Sequence, residues 1–227
     1  MKNFEVVFFI PIKKNSQRVP GKNFRKLSGV PLYKNLLYKL KGRNVYVDTD
    51  SDEIFYEIKN DNCLSNINVF FREESLVGDK TSVCDLIKSF IEKKSIPDST
   101  YICQLHVTSP FLKIETIDSS ISILKSKKYD SIVSCSTIQS RLWREESYGY
   151  CPINHNPIKL EQTQDLPKIF EENSLFYIFN SGFFKKMNSR IGEFPYFYEC
   201  DKIESIDIDT EKDWKFASII SEVISKL

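Results

Sequence analysis

Apolar residues fall along this chain in two alternating rhythms. Phe4 to Ile10 is an almost unbroken run rich in β-branched and aromatic side chains, the pattern of a strand covered on both faces. Shorter runs of the same kind recur at Asn44 to Val47, Ile67 to Phe71, Tyr101 to Leu105, Ser131 to Cys135 and Leu175 to Phe179. Between them the spacing turns helical: Val83, Leu86, Ile87, Phe90 and Ile91 form one stripe within Thr81 to Lys94, and Ile114, Ile117, Ile121 and Leu124 form another. Phe216, Ala217, Ile220, Val223 and Ile224 predict a closing helix from about Thr210, with Thr210 and Asp213 spaced for a capping box. Buried strands alternating with amphipathic helices predict a three-layer α/β fold around a mostly parallel sheet. The alternation breaks from Ser140 to Lys168, a polar, turn-rich stretch that reads as an inserted arm. No internal repeat or long linker divides the chain, so residues 1–227 read as a single domain.

Composition narrows the function classes. The 227 residues carry 32 Lys plus Arg against 31 Asp plus Glu, a net charge of +1, which supplies no global field for nucleic acid or an anionic membrane. Any anion site is therefore local. The longest apolar run, Val6 to Ile12, contains Pro11, lacks a cleavage signature and is far shorter than the ~20 residues a membrane span needs. The expectation is a soluble, unprocessed protein. Six cysteines, at 63, 84, 103, 135, 151 and 200, show no metal-ligand spacing and read as free thiols acting as small buried hydrophobes in a reducing, cytoplasmic setting. His106 and His155 are the only histidines, which excludes a histidine-rich metal centre.

In an open parallel sheet ligands bind beyond the carboxyl ends of the strands, so the loops after the strands carry the candidate chemistry. The first, Pro11-Ile-Lys-Lys-Asn-Ser-Gln-Arg-Val-Pro-Gly-Lys-Asn23, gathers Lys13, Lys14, Arg18 and Lys22 with Ser16 and Asn23. Such a loop can wrap a polyphosphate, or it can simply be a solvated basic loop. It is neither a P-loop nor a G-x-G-x-x-G turn. Near the end of the chain, Ser205-Ile-Asp-Ile-Asp-Thr-Glu211 places Asp207 and Asp209 on one face of an extended segment, about 7 Å apart. That pair suits Mg²⁺ shared with substrate phosphates; the same residues also suit an acidic helix N-terminus. Val47-Asp-Thr-Asp-Ser-Asp52 reads as a ribose site, a metal site or a cap for the next helix. Arg72 reads as a rim guanidinium or as the partner of Glu73 or Glu74. His106 reads as a general base, a substrate hydrogen-bond donor or a structural imidazole. No nucleophile elbow is present.

Taken in order, these motifs resemble the CMP-sialic acid synthetases, the acylneuraminate cytidylyltransferases. Residues 10–23 resemble that family's I-P-A-R-x-x-S-x-R-x-P-x-K-N loop, Asp48-Thr-Asp50 its S-T-D, and Phe71-Arg72 with Asp79 to Ser82 its R-P-x-x-L-A-x-D-x-T-S segment. Thr108-Ser-Pro110 is similar to Q-P-T-S-P, Gln164-Asp-Leu-Pro167 with Glu172-Asn173 and Tyr177 to Q-D-L-P, E-N and Y-I, and residues 205–211 to the C-terminal D-x-D motif.

The resemblance implies a sheet of nucleotidyltransferase type and a homodimer whose arm, residues 140–168, reaches the partner. It implies a cytidylyltransferase in which the anomeric hydroxyl of a nonulosonic or related 3-deoxy-ulosonic acid attacks the α-phosphate of CTP and pyrophosphate leaves, with Mg²⁺ as cofactor. By position, Pro11, Ile12, Lys13, Ser16, Lys22, Asn23, Arg72, Thr81 and Ser82 bind the nucleotide. His106, Thr108, Ser109, Gln164, Asn173 and Tyr177 meet the sugar. Lys13 and Lys22 stabilise charge, and Asp207 and Asp209 hold the metal. The chain departs from the pattern in three places: Lys13 replaces the first-loop arginine, His106-Val107 replaces Gln-Pro, and Thr163 stands where many members carry an arginine near the sugar carboxylate. Two other readings stay in play, a nucleotidyltransferase for a sugar 1-phosphate and a catalytically silent nucleotide-binding homologue. The stretch between Leu40 and Val45 is also short, which predicts a clipped helix ahead of the second strand.

Overall fold

The structure, a computed structural model, describes residues 4–126 and 128–226. In chain order its elements are β1 (Val6–Ile12), β2 (Lys26–Leu27), β3 (Val30–Pro31), α1 (Leu32–Lys39), β4 (Val45–Thr49), α2 (Asp52–Asn60), β5 (Ile67–Phe71), α3 (Val83–Lys93) and β6 (Tyr101–Leu105). There follow α4 (Ile114–Lys125), β7 (Ser131–Ile138), β8 (Trp143–Glu146), β9 (Gly149–Pro152), β10 (Ile169–Asn180), α5 (Ser181–Met187), β11 (Pro195–Glu199) and α6 (Glu211–Ile224). Seven strands form one sheet in the order β11-β7-β10-β6-β1-β4-β5, and every pairing is parallel except those of β10, which runs antiparallel to β6 and β7. The mostly parallel expectation holds.

The unbroken apolar run at the N-terminus has a direct cause. Phe8, Ile10 and Ile12 of β1 pack in one core cluster with Leu36, Leu37, Ile54, Ile58, Ile117 and Ile121 of the helices on that face. Val7 and Phe9 point the other way, into a cluster with Leu86, Ile87, Phe90 and Ile91 of α3 and Phe184 of α5. A central strand sandwiched between helical layers has no face to leave polar. Phe9 stacks on Phe90 at 4.5 Å between centroids. Burying each such side chain stabilises the fold by about 1.5–3 kcal/mol. A third, smaller cluster of Leu27, Leu32, Ile208, Trp214 and Ala217 fastens α6 to the β2–β3 hairpin.

Several expectations need correction. Pro11 lies inside β1, in register with Asp48 of β4 but past the point where β1 leaves β6 at Phe9. Helix α5 and edge strand β11 had no clear signal, because α5 is seven residues long and β11 is half-exposed and aromatic. The first part of the arm forms the β8–β9 hairpin, and the rest carries only a 3-10 turn at Thr163–Asp165. Only Cys103, Cys135 and Cys200 are buried; Cys63 is exposed and Cys84 and Cys151 are intermediate. Helix α1 has eight residues and α2 nine. Among the described residues no helix is long and apolar enough to cross a membrane.

Candidate active site

A cleft of about 630 Å³ opens at the carboxyl ends of β1, β4, β5 and β6. Its floor is the loop after β1. Gly21, held at φ +64, lets the chain turn sharply into a short 3-10 turn beginning at Lys22, and only glycine takes that conformation without steric cost. Lys22 is 8% exposed, and its Nζ donates to the Ile208 carbonyl at 2.7 Å with Asp209 Oδ1 3.6 Å away. Asn23 Nδ2 donates to the Lys13 carbonyl at 2.7 Å, leaving its buried Oδ1 without a partner. Lys13 crosses to the segment after β5, donating to the Gly78 carbonyl at 3.0 Å and facing Asp79 at 3.5 Å.

The far wall is the extended segment before α6. Ile208 N donates to the Thr108 carbonyl at 2.9 Å and the Ile208 side chain is buried, so the alternation turns Asp207 and Asp209 into the cleft as expected. Thr210, and not Asp209, caps α6: its side chain accepts from Asp213 N and Asp213 returns the bond, a reciprocal capping box. The two aspartates are free of that duty. Asp209 faces Arg18 at 2.9 Å as well as Lys22. Asp207 Oδ1 is buried with no partner, and burial holds the carboxyl above the usual carboxylate range, opposed by a hydrogen bond from Thr108. An orphaned carboxylate oxygen beside a second carboxylate is a fitting donor set for a hard divalent cation. No group of three or more His, Cys, Asp or Glu side chains placed to hold a metal occurs among the described residues.

Arg72 is fully buried and pairs with Asp48, Nε to Oδ1 at 2.7 Å, not with Glu73 or Glu74. Its Nη1 is left without a hydrogen-bond acceptor, and Arg72 lines the cleft. Burial raises Asp48 and the Arg72 charge opposes the rise. Asp50 accepts from Lys14 N, and the cap of α2 is Ser51, so neither aspartate caps that helix.

On the β6 side, His106 lines the cleft together with Arg190. Arg190 Nη1 donates to the buried Gln104 Oε1 at 2.7 Å, and Gln104 Nε2 lies 2.8 Å from His106 Nε2. A guanidinium only donates, so the Gln104 oxygen must face Arg190 and its amide nitrogen must face the imidazole. His106 Nε2 therefore accepts, and its proton sits on Nδ1. Burial, with the Arg190 charge behind it, lowers the imidazole to about 4. As built, His106 is a neutral N–H donor and not a general base.

Pro11, Ile12, Lys13, Ser16, Lys22, Asn23, Arg72, Thr81, His106, Thr108, Asp207 and Asp209 all line the cleft. The remaining candidates do not. Ser82 is the N-cap of α3, locked in a capping box with Asp85. Ser109 is buried with its hydroxyl unpaired. Gln164 is exposed in the arm and bonds Gln162. Asn173 bonds Ser136 and Ser205, and buried Tyr177 donates to Glu172 at 2.7 Å. Arg18 of the first basic loop and Asp79 also line the cleft, whereas sequence reasoning missed Arg190 and Ser174. Ser174 reaches the cleft through a register shift in β10 between Glu172 and Tyr177, where it takes φ +57.

The model of the family described as "Cytidylyltransferase" matches residues 7–222. The chain belongs to the cytidylyltransferase family. Among curated members it is 28% identical over 224 residues to N-acylneuraminate cytidylyltransferase A of Danio rerio, covering 95% of this chain and 50% of that one. It is 29% identical over 243 residues to the CMP-N,N'-diacetyllegionaminic acid synthase of Legionella pneumophila, covering 96% and 97%. The chain thus spans about half the length of the first group of curated cytidylyltransferases and nearly all of the second. Its fold is shared with CMP:2-keto-3-deoxy-manno-octonic acid synthetase complexed with CTP (TM-score 0.65, 14% identity, 98% and 100% covered). It is shared too with 4-diphosphocytidyl-2C-methyl-D-erythritol synthase of Anaerococcus prevotii (TM-score 0.67, 12% identity, 96% of each chain). The cytidylyltransferase fold and its nucleotidyltransferase sheet are as the resemblance implied.

Proposed function

We propose that this cytidylyltransferase chain moves CMP from CTP to the anomeric hydroxyl of a nonulosonic or related 3-deoxy-ulosonic acid. The bond from the α-phosphorus to the pyrophosphate oxygen breaks, the bond to the sugar oxygen forms, pyrophosphate leaves and the hydroxyl proton goes to solvent. The observation that carries this reading is buried Lys22 held beside Asp207 and Asp209 in one cleft, a cation and two carboxylates brought together from opposite ends of the chain. Full-length similarity to the legionaminic acid synthase supports the acceptor class.

Lys22 has one hydrogen bond to protein, leaving donors for phosphate oxygens, and Lys13 stands across the same floor. The orphaned Arg72 N–H and Asn23 Oδ1 offer the nucleotide one donor and one acceptor, with Pro11, Ile12, Ser16 and Thr81 shaping the pocket. Asp207 and Asp209 would hold Mg²⁺, which would supply charge neutralisation at the phosphates. The His106 Nδ1–H is a donor toward the sugar, and the Thr108 hydroxyl, whose proton goes to Asp207, offers an acceptor there. Gln164 and Asn173 lie outside the cleft of one chain, and the proposal gives Gln164 a role only across a dimer.

The arm supports that dimer. Ile158 is 95% exposed, Leu160 85% and Tyr148 80%, apolar surface that a single chain leaves in water. In this reading residues 140–168 pack on a second copy, in the cytoplasm, as part of the one domain. Pyrophosphate release with Mg²⁺ and CTP, screened over N-acetylneuraminate, legionaminate, pseudaminate, 3-deoxy-manno-octulosonate and hexose 1-phosphates, tests the function. Turnover with one keto acid is expected. Turnover only with a sugar 1-phosphate overturns the acceptor, and CTP binding without any turnover overturns the enzyme.

A further inference from the structure

The cleft has a second positively charged region that the phosphate chemistry does not use. Lys13, Lys22 and Arg72 cluster around the ends of β1, β4 and β5, whereas Arg190 stands on the far side, against Gln104 of β6 and Tyr177 of β10. Neighbouring strands are spaced by about 4.8 Å, so the two regions face different parts of a bound pair of substrates.

Arg190 is an arginine without a counterion. Among the described residues no carboxylate lies within 4 Å of it, whereas Arg18, Arg25, Arg43, Arg72 and Arg144 each have one. Neutral groups hold it instead. The Gln104 amide, fully buried in β6, accepts from Nη1 at 2.7 Å, and the Tyr177 ring lies 3.8 Å beneath the guanidinium centre. A buried glutamine is costly unless both ends of its amide are satisfied, and here Arg190 and His106 satisfy them.

The backbone around Arg190 is also fixed. Asn188 ends α5 in the left-handed region at φ +50, and Ser189 both accepts from Ile191 N and donates to its carbonyl. Gly192 N donates to Ser131 Oγ, and Glu193 N and Phe194 N donate to Asp130 Oδ2. The side chain is oriented before any ligand arrives, with donors of its planar fork unused by protein.

We propose that Arg190 is the specificity-determining residue of the acceptor side, receiving the carboxylate of the acidic sugar. This inference rests on the acceptor class proposed above. Thr163 lacks the charge that an arginine there would supply, and Arg190 supplies one from a different element, the turn between α5 and β11.

The test compares the turnover of a keto-acid sugar and its methyl ester by the wild-type chain, Arg190→Met and Arg190→Lys. The wild-type chain should prefer the acid strongly. R190M should raise KM for the acid at least tenfold, bring the acid-to-ester ratio of kcat/KM toward one, and leave KM for CTP within twofold. R190K, which keeps the charge but not the fork, should fall between. A structural role would slow acid and ester alike, so an unchanged ratio in R190M with active wild type overturns this inference alone. Absence of wild-type turnover with every keto acid overturns the acceptor reading and this inference with it.

Discussion

The ammonium of Lys22 donates at 2.7 Å to the main-chain carbonyl of Ile208, a residue flanked by the two cleft aspartates and 186 positions away in sequence. The bond fastens the loop after β1 to the segment before α6, so the Lys22 ammonium and the two carboxylates share one frame. Lys22→Met should cut kcat/KM by about a hundredfold or more, the scale of losing a preorganised charge at a reacting phosphoryl group. Pyrophosphate release measures the loss, and a drop under tenfold would remove Lys22 from the chemistry.

Asp207 is held in the fold at a cost to stability. Its carboxyl is held above its ordinary range mainly by burial, and one oxygen has no donor. Asp207→Asn should abolish turnover at every Mg²⁺ concentration while raising the stability of the metal-free protein by about 1 kcal/mol, since an amide loses less on leaving water than a carboxylate does. Parallel activity and urea-melt measurements check both halves. Full activity in the variant would break the metal assignment.

Arg72 and Asp48 form a pair with almost no exposed side-chain surface. Removing one partner strands a buried charge, so Asp48→Asn should destabilise the chain by roughly 3–5 kcal/mol. Chemical denaturation reads this directly, and a loss under 1 kcal/mol would mean that water reaches the pair.

His106 makes the fold sensitive to acid. Its imidazole titrates at about 4 in the folded chain, lowered by burial and by the Arg190 charge, against about 6.5 unfolded. The unfolded chain therefore binds a proton that the native chain refuses. This contribution to stability is complete above pH 6.5 and is lost as pH falls toward 4. His106→Gln should show a flatter dependence, its urea midpoint gaining on the wild type between pH 7.5 and 4.5. Identical slopes would contradict the buried, neutral imidazole.

Much of this was legible because local chemistry and global burial agree. The two-sided packing of β1 appears in sequence as a run without polar gaps, and the capping box of α6 appears as Thr210 and Asp213 at fixed spacing. Lys22, Asp207 and Asp209 were findable because strand-end loops and period-two alternation both point them at a common rim. Arg190 was not: it stands in a short turn after a seven-residue helix, and what singles it out is a buried glutamine 86 positions earlier. Ser82, assigned to the nucleotide only by the resemblance, is the cap of α3 through its reciprocal bonds with Asp85, a local role its spacing to Asp85 also encodes. Arg72 looked like a surface residue because its partner, Asp48, lies on the neighbouring strand rather than beside it in sequence.

Gly192 carries a consequence that reaches beyond its size. A methyl group there would overlap the Asp130 carboxylate, which gathers the turn carrying Arg190. If Arg190 selects the acceptor as proposed, that preference can drift through an uncharged position outside the cleft lining. A survey of natural variation confined to the cleft walls would overlook the change, although a single nucleotide substitution in that glycine codon suffices to begin it.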